Sequence, residues 1–346
     1  MKLFKQTILI LIIFLKTGNL LSENNLFNVN NIFIEKKDNI SNKKLANLAI
    51  QEAFDQLLKR ILLKEDISKL SNLNLSTIRG LVTYYNISKN NEVENNKLNF
   101  NITFDKDKFH DLFYKNGISY SDINDKEFYI LPILLSEDEI FVFSNNFFYK
   151  NWNETNKDKL IEFILPLENI EIIENINKSK NNLLNLDLNL LFKEYSNKNI
   201  AIVFIENRGS REKKIYLKTR IQNKIVSKNL NFKKNDLEKN NFYEKIIFEI
   251  KEELINLVKS QNLIDIRTPS FLNVKLNLDK KSNLVILSSR IKKIDLIEDI
   301  FVQEFNKDYV NLKIKYLGKL EKIINQFQIE NISLQLINNE WFIKTL

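Results

Sequence analysis

Four aromatic residues stand close together in one polar segment, and their types suit contact with a partner or ligand. The segment Ser144–Glu154 holds Phe147, Phe148, Tyr149 and Trp152 within six residues. Exposed aromatic side chains are typical of binding surfaces. The same four could instead fold back and close the end of the neighbouring sheet, and the sequence leaves both possibilities open.

Catalytic chemistry has few candidate side chains in this sequence. The chain has one histidine, His110, and no cysteine, which excludes cysteine nucleophiles, thiolate zinc sites and disulfides. A short helix is predicted between its N-cap Asp105 and Gly117, and His110 lies about 100° around that helix from its apolar stripe. We therefore predict His110 at the surface or rim, and no catalytic residue.

Metal and cofactor sites are not predicted either. The acidic turn Glu137, Asp138, Glu139 lacks the alternating oxygen ligands and central glycine of a calcium loop, so a solvated turn is expected. The glycines are isolated from one another, which gives no phosphate-binding loop.

The charge is positive but dispersed. Lys+Arg 52 against Asp+Glu 44 gives +8, and the two signs are interleaved along the chain. The densest basic stretch is typical of a solvated strand and loop, and it comprises Arg208, Arg211, Lys213, Lys214, Lys218 and Arg220. No nucleic-acid partner is expected, whereas a basic surface for a polyanion or the membrane periphery remains an alternative.

The first 22 residues have the pattern of a signal peptide. Lys2 and Lys5 precede the apolar run 8–15, and Ser22 could end a cleavage site. A membrane span needs about 20 apolar residues, which is longer than this run. Export to the periplasm is predicted, with an uncleaved inner-membrane anchor as the alternative.

An N-terminal α+β domain is predicted over residues 23–122. A strand at 28–36 precedes a helix at 42–64, which carries Ala46, Ala49 and Ala53 on one face and so favours close packing against a sheet or partner helix. Two strands, 81–88 and 98–105, and the helix with His110 follow.

A central α/β domain is predicted over residues 123–265. The continuous apolar run 128–135 indicates a strand covered on both faces, although Pro132 favours an edge or strand end. The other predicted elements are strands at 140–143, 161–165, 199–206 and 214–221 and helices at 183–196 and 237–259.

The third predicted domain spans residues 266–346 and has a ferredoxin-like order of elements. These are strands at 271–278 and 284–290, a helix at 294–305, a strand at 309–316, a helix at 319–328, and strands at 332–336 and 341–346. Asn338–Asn339 forms the final turn. The whole chain is thus predicted to be α+β, in three small modules, and limited proteolysis should release residues 269–346.

Several short motifs occur in the order seen in a known family. They are Ala49–Ala53 with Leu57–Arg60, Val82–Tyr85, Phe104–Asp105 with Gly117–Ile118, Leu131–Leu134, Val142–Phe143, Phe148–Trp152 and Pro166–Asn169. Over about residues 28–210, the chain resembles the domain of unknown function 2066 family, in its alphaproteobacterial exported, cell-envelope branch. The resemblance implies an envelope protein without an established cofactor or catalytic residue.

The chain also departs from that family pattern. Ser136–Glu139 stands in place of a glycine-rich tip, Phe143 and Phe148 replace two tryptophans, and Glu168–Asn169 replaces Gly-Asp. A ligand that uses those groups is therefore not implied for this chain.

The leading functional hypothesis is a non-catalytic protein-binding or assembly module of the cell envelope, with no cofactor. A periplasmic hydrolase and a basic polyanion or membrane-surface binder are the alternatives. The oligomeric state is left open.

Overall fold

The computed structural model describes residues 26–36, 41–88, 97–123, 126–136, 139–154, 160–195, 198–207, 212–234, 238–278 and 282–346. The predicted signal peptide, the acidic residues Glu137 and Asp138, and Arg208 and Arg211 lie outside these ranges. The fold is α+β, as predicted. It divides into two compact units, one formed by the chain up to Asp122 together with Leu263–Leu346, the other by Ile123–Asn262.

The first and third predicted modules therefore belong to one unit. Apolar side chains from both segments form a single core, which runs from Phe27 through Phe113 to Leu312 and Ile343. The prediction that residues 269–346 form a separate module does not agree with this division, because the apolar face of that segment is buried together with N-terminal side chains.

The N-terminal part of the first unit is a small antiparallel sheet covered by a helix. Its elements are β1 Asn28–Glu35, α1 Asn42–Ile61, α2 Lys64–Ile67, α3 Leu75–Gly80, β2 Val82–Ser88, β3 Lys97–Phe104, α4 Lys106–Asn116 and β4 Tyr120–Ser121, with a 3₁₀ turn at Ser68–Leu70. The strand order is β1-β3-β2. The alanine face of α1 is buried, and α1 contacts β1 and β3, as the small-residue stripe predicts.

The second unit is a mixed sheet between helical layers. Its elements are β5 Glu127–Ser136, β6 Glu139–Phe141, α5 Phe147–Asn151, β7 Glu162–Ile164, α6 Ile170–Lys178, α7 Leu188–Leu191, β8 Asn199–Asn207, β9 Glu212–Ile221, β10 Lys224–Lys233 and α8 Lys239–Gln261, with 3₁₀ turns at Phe143–Asn145, Lys180–Asn185 and Lys193–Tyr195. The strand order is β10-β9-β8-β5-β6, and β7 also pairs with β5.

Alternate residues of β5 and β8 enter two different cores, which confirms that these strands are covered on both faces. Pro132 lies within β5, between the residues that pair with β7 and those that pair with β6. Its missing N–H therefore interrupts neither pairing. The predicted continuous helix at 183–196 is wrong: the described residues of this range form the end of one 3₁₀ turn, the single-turn helix α7 and a second 3₁₀ turn.

The C-terminal part completes the first unit with a five-stranded sheet. Its elements are β11 Leu263–Ile264, β12 Ser270–Asn277, α9 Ser282–Ile291, β13 Ile297–Phe305, β14 Tyr309–Tyr316, α10 Leu320–Ile329, β15 Ile332–Ile337 and β16 Glu340–Thr345. β11 pairs with β4, so the chain leaves and re-enters this unit along adjacent strands.

Two predicted elements of this segment have the wrong type. Residues 284–290 lie in helix α9 rather than a strand, and most of 294–305 forms strand β13 rather than a helix. The strand order is β13-β14-β12-β16-β15. A parallel terminal strand, β16, lies beside β12, so the ferredoxin-like arrangement is not confirmed.

Candidate functional site

The predicted aromatic site is largely a core element. Phe148 and Trp152 are fully buried, and Phe147 and Tyr149 are half-buried. The Tyr149 hydroxyl donates a 2.7 Å hydrogen bond to the carbonyl of Pro166. The possibility that Phe148 and Trp152 are exposed for contact with a partner is therefore wrong, because their rings fill the interior of the second unit.

Asn146 explains why the segment folds back. This fully buried side chain donates from Nδ2 to the carbonyls of Pro132, at 2.9 Å, and Phe141, at 3.3 Å. Its Oδ1 accepts the Phe148 N–H at 2.9 Å and so caps α5. The amide thus supplies hydrogen bonds at the stretch of β5 where β6 and β7 do not pair.

Lys251 of α8 secures the other end of the segment. Its Nζ donates a 2.6 Å hydrogen bond to the Trp152 carbonyl and lies 5.8 Å from the Trp152 ring centroid and 5.6 Å from that of Phe163. Burial lowers the pKa of Lys251 to about 8. These contacts make the aromatic segment a packing element of the second unit.

His110 is buried, which contradicts the predicted surface position. Its Nε2 lies 3.2 Å from the Tyr120 hydroxyl, and its Nδ1 lies 3.5 Å from Oε1 of Glu298. The hydrogen bond with His110 lowers the pKa of Glu298, and burial raises the pKa of Tyr120 above its usual range. Tyr120 and His110 are buried, whereas Glu298 is exposed, so the trio joins the interior of the first unit to its surface.

Further ion pairs surround this trio and join distant segments. Lys106 Nζ lies 3.8 Å from Glu298 Oε1, and Lys322 Nζ lies 2.7 Å from Asp122 Oδ2. Burial lowers the pKa of Lys322. The pairs link α4, the end of β4, β13 and α10, so their role here is to hold the first unit together.

A different surface combines exposure with specific chemistry. We call it the open face: the side of the five-stranded sheet that carries Phe271, Phe301, Tyr309 and Phe342 with Lys275 and Lys313. Residues 272, 274 and 276 of β12, and 310, 312 and 314 of β14, enter the core, so their alternating neighbours point to the opposite side. Phe271 is 50% exposed and Phe301 is 46% exposed.

Lysine ammonium groups stack on the rings of the open face. Lys313 Nζ lies 4.3 Å from the Phe271 ring centroid, and Lys275 Nζ lies 4.1 Å from that of Tyr309 and 6.0 Å from that of Phe342. Two of the contacts cross between β12 and β14, whose pairing sets Asn273 opposite Lys313 and Lys275 opposite Asn311, and the contact with Phe342 joins β12 to β16. Cation–π contacts of this kind hold a positive charge beside an apolar ring.

The charge on the open face differs between its centre and its margins. On the central strands the half-buried Lys315 lies on the same side as the two stacked lysines. Acidic side chains lie on the neighbouring strands, as at Glu304 on β13. Glu304 accepts hydrogen bonds of 2.8 Å from Tyr309 and Asn311, and the bond from Tyr309 raises that tyrosine's pKa. The centre is therefore aromatic and cationic.

This chemistry suits binding. The open face offers apolar area, aromatic rings and ammonium donors, a combination found at binding surfaces. In the part of the chain that the structure describes, no group of three or more His, Asp or Glu side chains is placed to hold a metal ion. Among the described helices, none has the length and apolar character that a bilayer span requires.

Sequence reasoning missed the open face although its signal is present. Phe271, Asn273 and Lys275 alternate along β12, and Tyr309, Asn311 and Lys313 alternate along β14. Each pattern by itself indicates a half-exposed strand. Only the pairing of the two strands places the lysine of one over the aromatic ring of the other.

Comparison with known proteins adds no functional assignment. No protein-family model matches the chain, and no curated protein matches it. The resemblance to the domain of unknown function 2066 family therefore stays a prediction. A solved structure titled "Crystal structure of uncharacterized protein" matches with 7% identity over 40% of this chain and 92% of that one, at a TM-score of 0.19. A TM-score this low carries no argument.

Proposed function

We propose that this protein is an exported, non-catalytic binding protein of the cell envelope, and that its open face binds an acidic surface of a partner protein. The observation that carries the proposal is the set of rings on the open face, the exposed Phe271 and the half-buried Tyr309 and Phe342, with lysine ammonium groups stacked on them. Exposed aromatic clusters are typical of interfaces, and a cationic centre favours an acidic partner.

The envelope location is inferred from the N-terminal sequence pattern and the family resemblance. The residues of that pattern lie outside the described ranges. Edman sequencing of the protein purified from its native cells tests this part, because a cleaved signal peptide gives an N-terminus close to residue 23. A cytoplasmic protein that begins at Met1 would contradict export.

The binding role is tested by capture from envelope extract. The tagged chain is compared with the double variant Phe271→Ala, Tyr309→Ala and with the control Tyr114→Ala, which removes a 63% exposed ring from α4 of the same unit. We expect the wild-type chain and the control to retain a discrete partner and the double variant to lose it. Equal retention by all three chains would refute the role of the open face.

The lysines of the open face also give the polyanion alternative a structural basis. Soluble polyphosphate and anionic phospholipid vesicles are therefore tested as ligands of the same three chains. Binding of either probe that depends on Phe271 and Tyr309, without any captured protein, would favour the polyanion function over the one we propose.

A further inference from the structure

The second unit contains a cleft that is separate from the open face. It has a volume of about 480 Å³, which is within the range of ligand sites. Its apolar wall comprises Leu135, Leu183, Leu184 and Phe204. Leu184 is 52% exposed.

Alternate residues of β9 form a row of side chains on this side of the sheet, which comprises Lys214, Tyr216, Lys218 and Arg220. Near one end of the row, Lys218 Nζ donates to the carbonyls of Leu184, at 3.1 Å, and Leu186, at 2.8 Å. The next residue of the row, Arg220, donates to the Tyr195 carbonyl at 3.2 Å and to the Asn189 side chain. The row therefore holds the segment 183–195 to the sheet through main-chain carbonyls.

Lys214 lies at the other end of the same row and lines the cleft. It is exposed, and the strand pairings set it between Glu206 of β8 and Asn231 of β10. Asn229, which also lines the cleft, lies opposite Tyr216. Within the described part of the chain, the side chains of Lys214, Asn229 and Asn231 form no hydrogen bond or ion pair.

We propose that this cleft binds an extended peptide segment of a partner protein. A main-chain carbonyl of the peptide would accept from Lys214, as the carbonyls of Leu184 and Leu186 accept from Lys218. The side-chain amides of Asn229 and Asn231 each offer a donor and an acceptor for peptide groups. An apolar peptide side chain would cover Leu184 and Phe204. This site does not depend on the open face.

The cleft is tested with a phage-displayed library of 12-residue peptides selected on the full chain. Selected peptides are synthesised with a fluorescent label, and their affinities are measured by fluorescence anisotropy. The informative variant is Leu184→Asp, with Leu190→Asp as its control, because Leu190 is 43% exposed in the same segment and does not line the cleft. A second pair is Lys214→Glu with Lys193→Glu.

We expect each cleft variant to weaken peptide binding about tenfold or more, which corresponds to the loss of one or two good contacts, and each control to bind like the wild-type chain. Circular dichroism shows whether each variant is folded. If Leu184→Asp does not fold, the comparison of Lys214→Glu with Lys193→Glu tests the proposal. The double variant Phe271→Ala, Tyr309→Ala should bind these peptides normally. Failure to select any peptide, or equal binding by cleft variants and controls, would overturn the proposal.

Discussion

The ammonium group of Lys251 is buried against the main-chain carbonyl of Trp152, with a distance of 2.6 Å between the donor and acceptor atoms. The contact joins α8 to the segment that follows α5. It places a charged group beside the rings of Trp152, which the sequence pattern assigned to a candidate binding segment, and Phe163. The relationship shows that the aromatic segment belongs to the interior of the second unit.

Replacement of Trp152 by alanine should strongly destabilise the protein. The fully buried ring leaves a cavity when it is removed, and such deletions cost about 3–5 kcal/mol. Chemical denaturation of Trp152→Ala measures the loss, and Lys150→Ala, an exposed change in the same segment, is its control. If Trp152→Ala kept wild-type stability but lost partner capture, the segment would be a binding site after all.

The buried Lys251 predicts a particular dependence of stability on pH. Burial lowers its pKa from the ordinary value of 10.5 to about 8, so between these values the unfolded chain binds more protons than the folded chain. Stability contributed by this group should therefore rise with pH across that interval. Denaturant unfolding at several pH values should show that the stability of the wild-type chain relative to Lys251→Met increases toward high pH. A constant difference would contradict the lowered pKa.

Glu298 predicts a dependence of stability on pH in the acidic range. Its pKa is lowered from the ordinary value of 4.5, first by the hydrogen bond with His110, so its contribution is fully present above that value. The contribution is lost as the pH falls through the folded-state pKa. Glu298→Gln should lower stability at neutral pH and show a smaller further loss in acid. Asp299→Asn, an exposed neighbouring change, should keep the wild-type profile in the same unfolding titration.

The division into units predicts which fragments fold. The segment 123–262 contains its own cores, whereas the core of the segment 266–346 includes side chains from residues 27–120. We expect residues 123–262 expressed alone to unfold cooperatively on heating, and residues 266–346 alone to show no cooperative transition. Cooperative melting of the C-terminal fragment would restore the three-module division.

Local sequence signals predicted much of the fold. Asp105 caps α4, and Gly117 ends it in the left-handed conformation, as the sequence indicates. The turn Asn338–Asn339 has two positive φ angles and connects β15 to β16. In each case the residues that decide the structure are adjacent in sequence.

Other features depend on contacts that the local sequence does not contain. The segment 284–290 contains only four consecutive apolar residues, 284–287, which are too few for their periodicity to separate a helix from a strand. In β13, register shifts break the two-residue alternation that would have identified the strand. His110 is buried because Tyr120 and the distant Glu298 enclose it, and a helical projection of α4 alone does not include them.

Photocrosslinking from the open face tests the central claim most directly. A benzoylphenylalanine replaces Asn273, an exposed residue at the centre of β12, and in a second chain it replaces the exposed Tyr114 of α4. After irradiation in the envelope of living cells, we predict a discrete protein adduct from position 273 and none from position 114. Absence of an adduct at position 273, or the same adduct from both positions, would contradict a binding role for the open face.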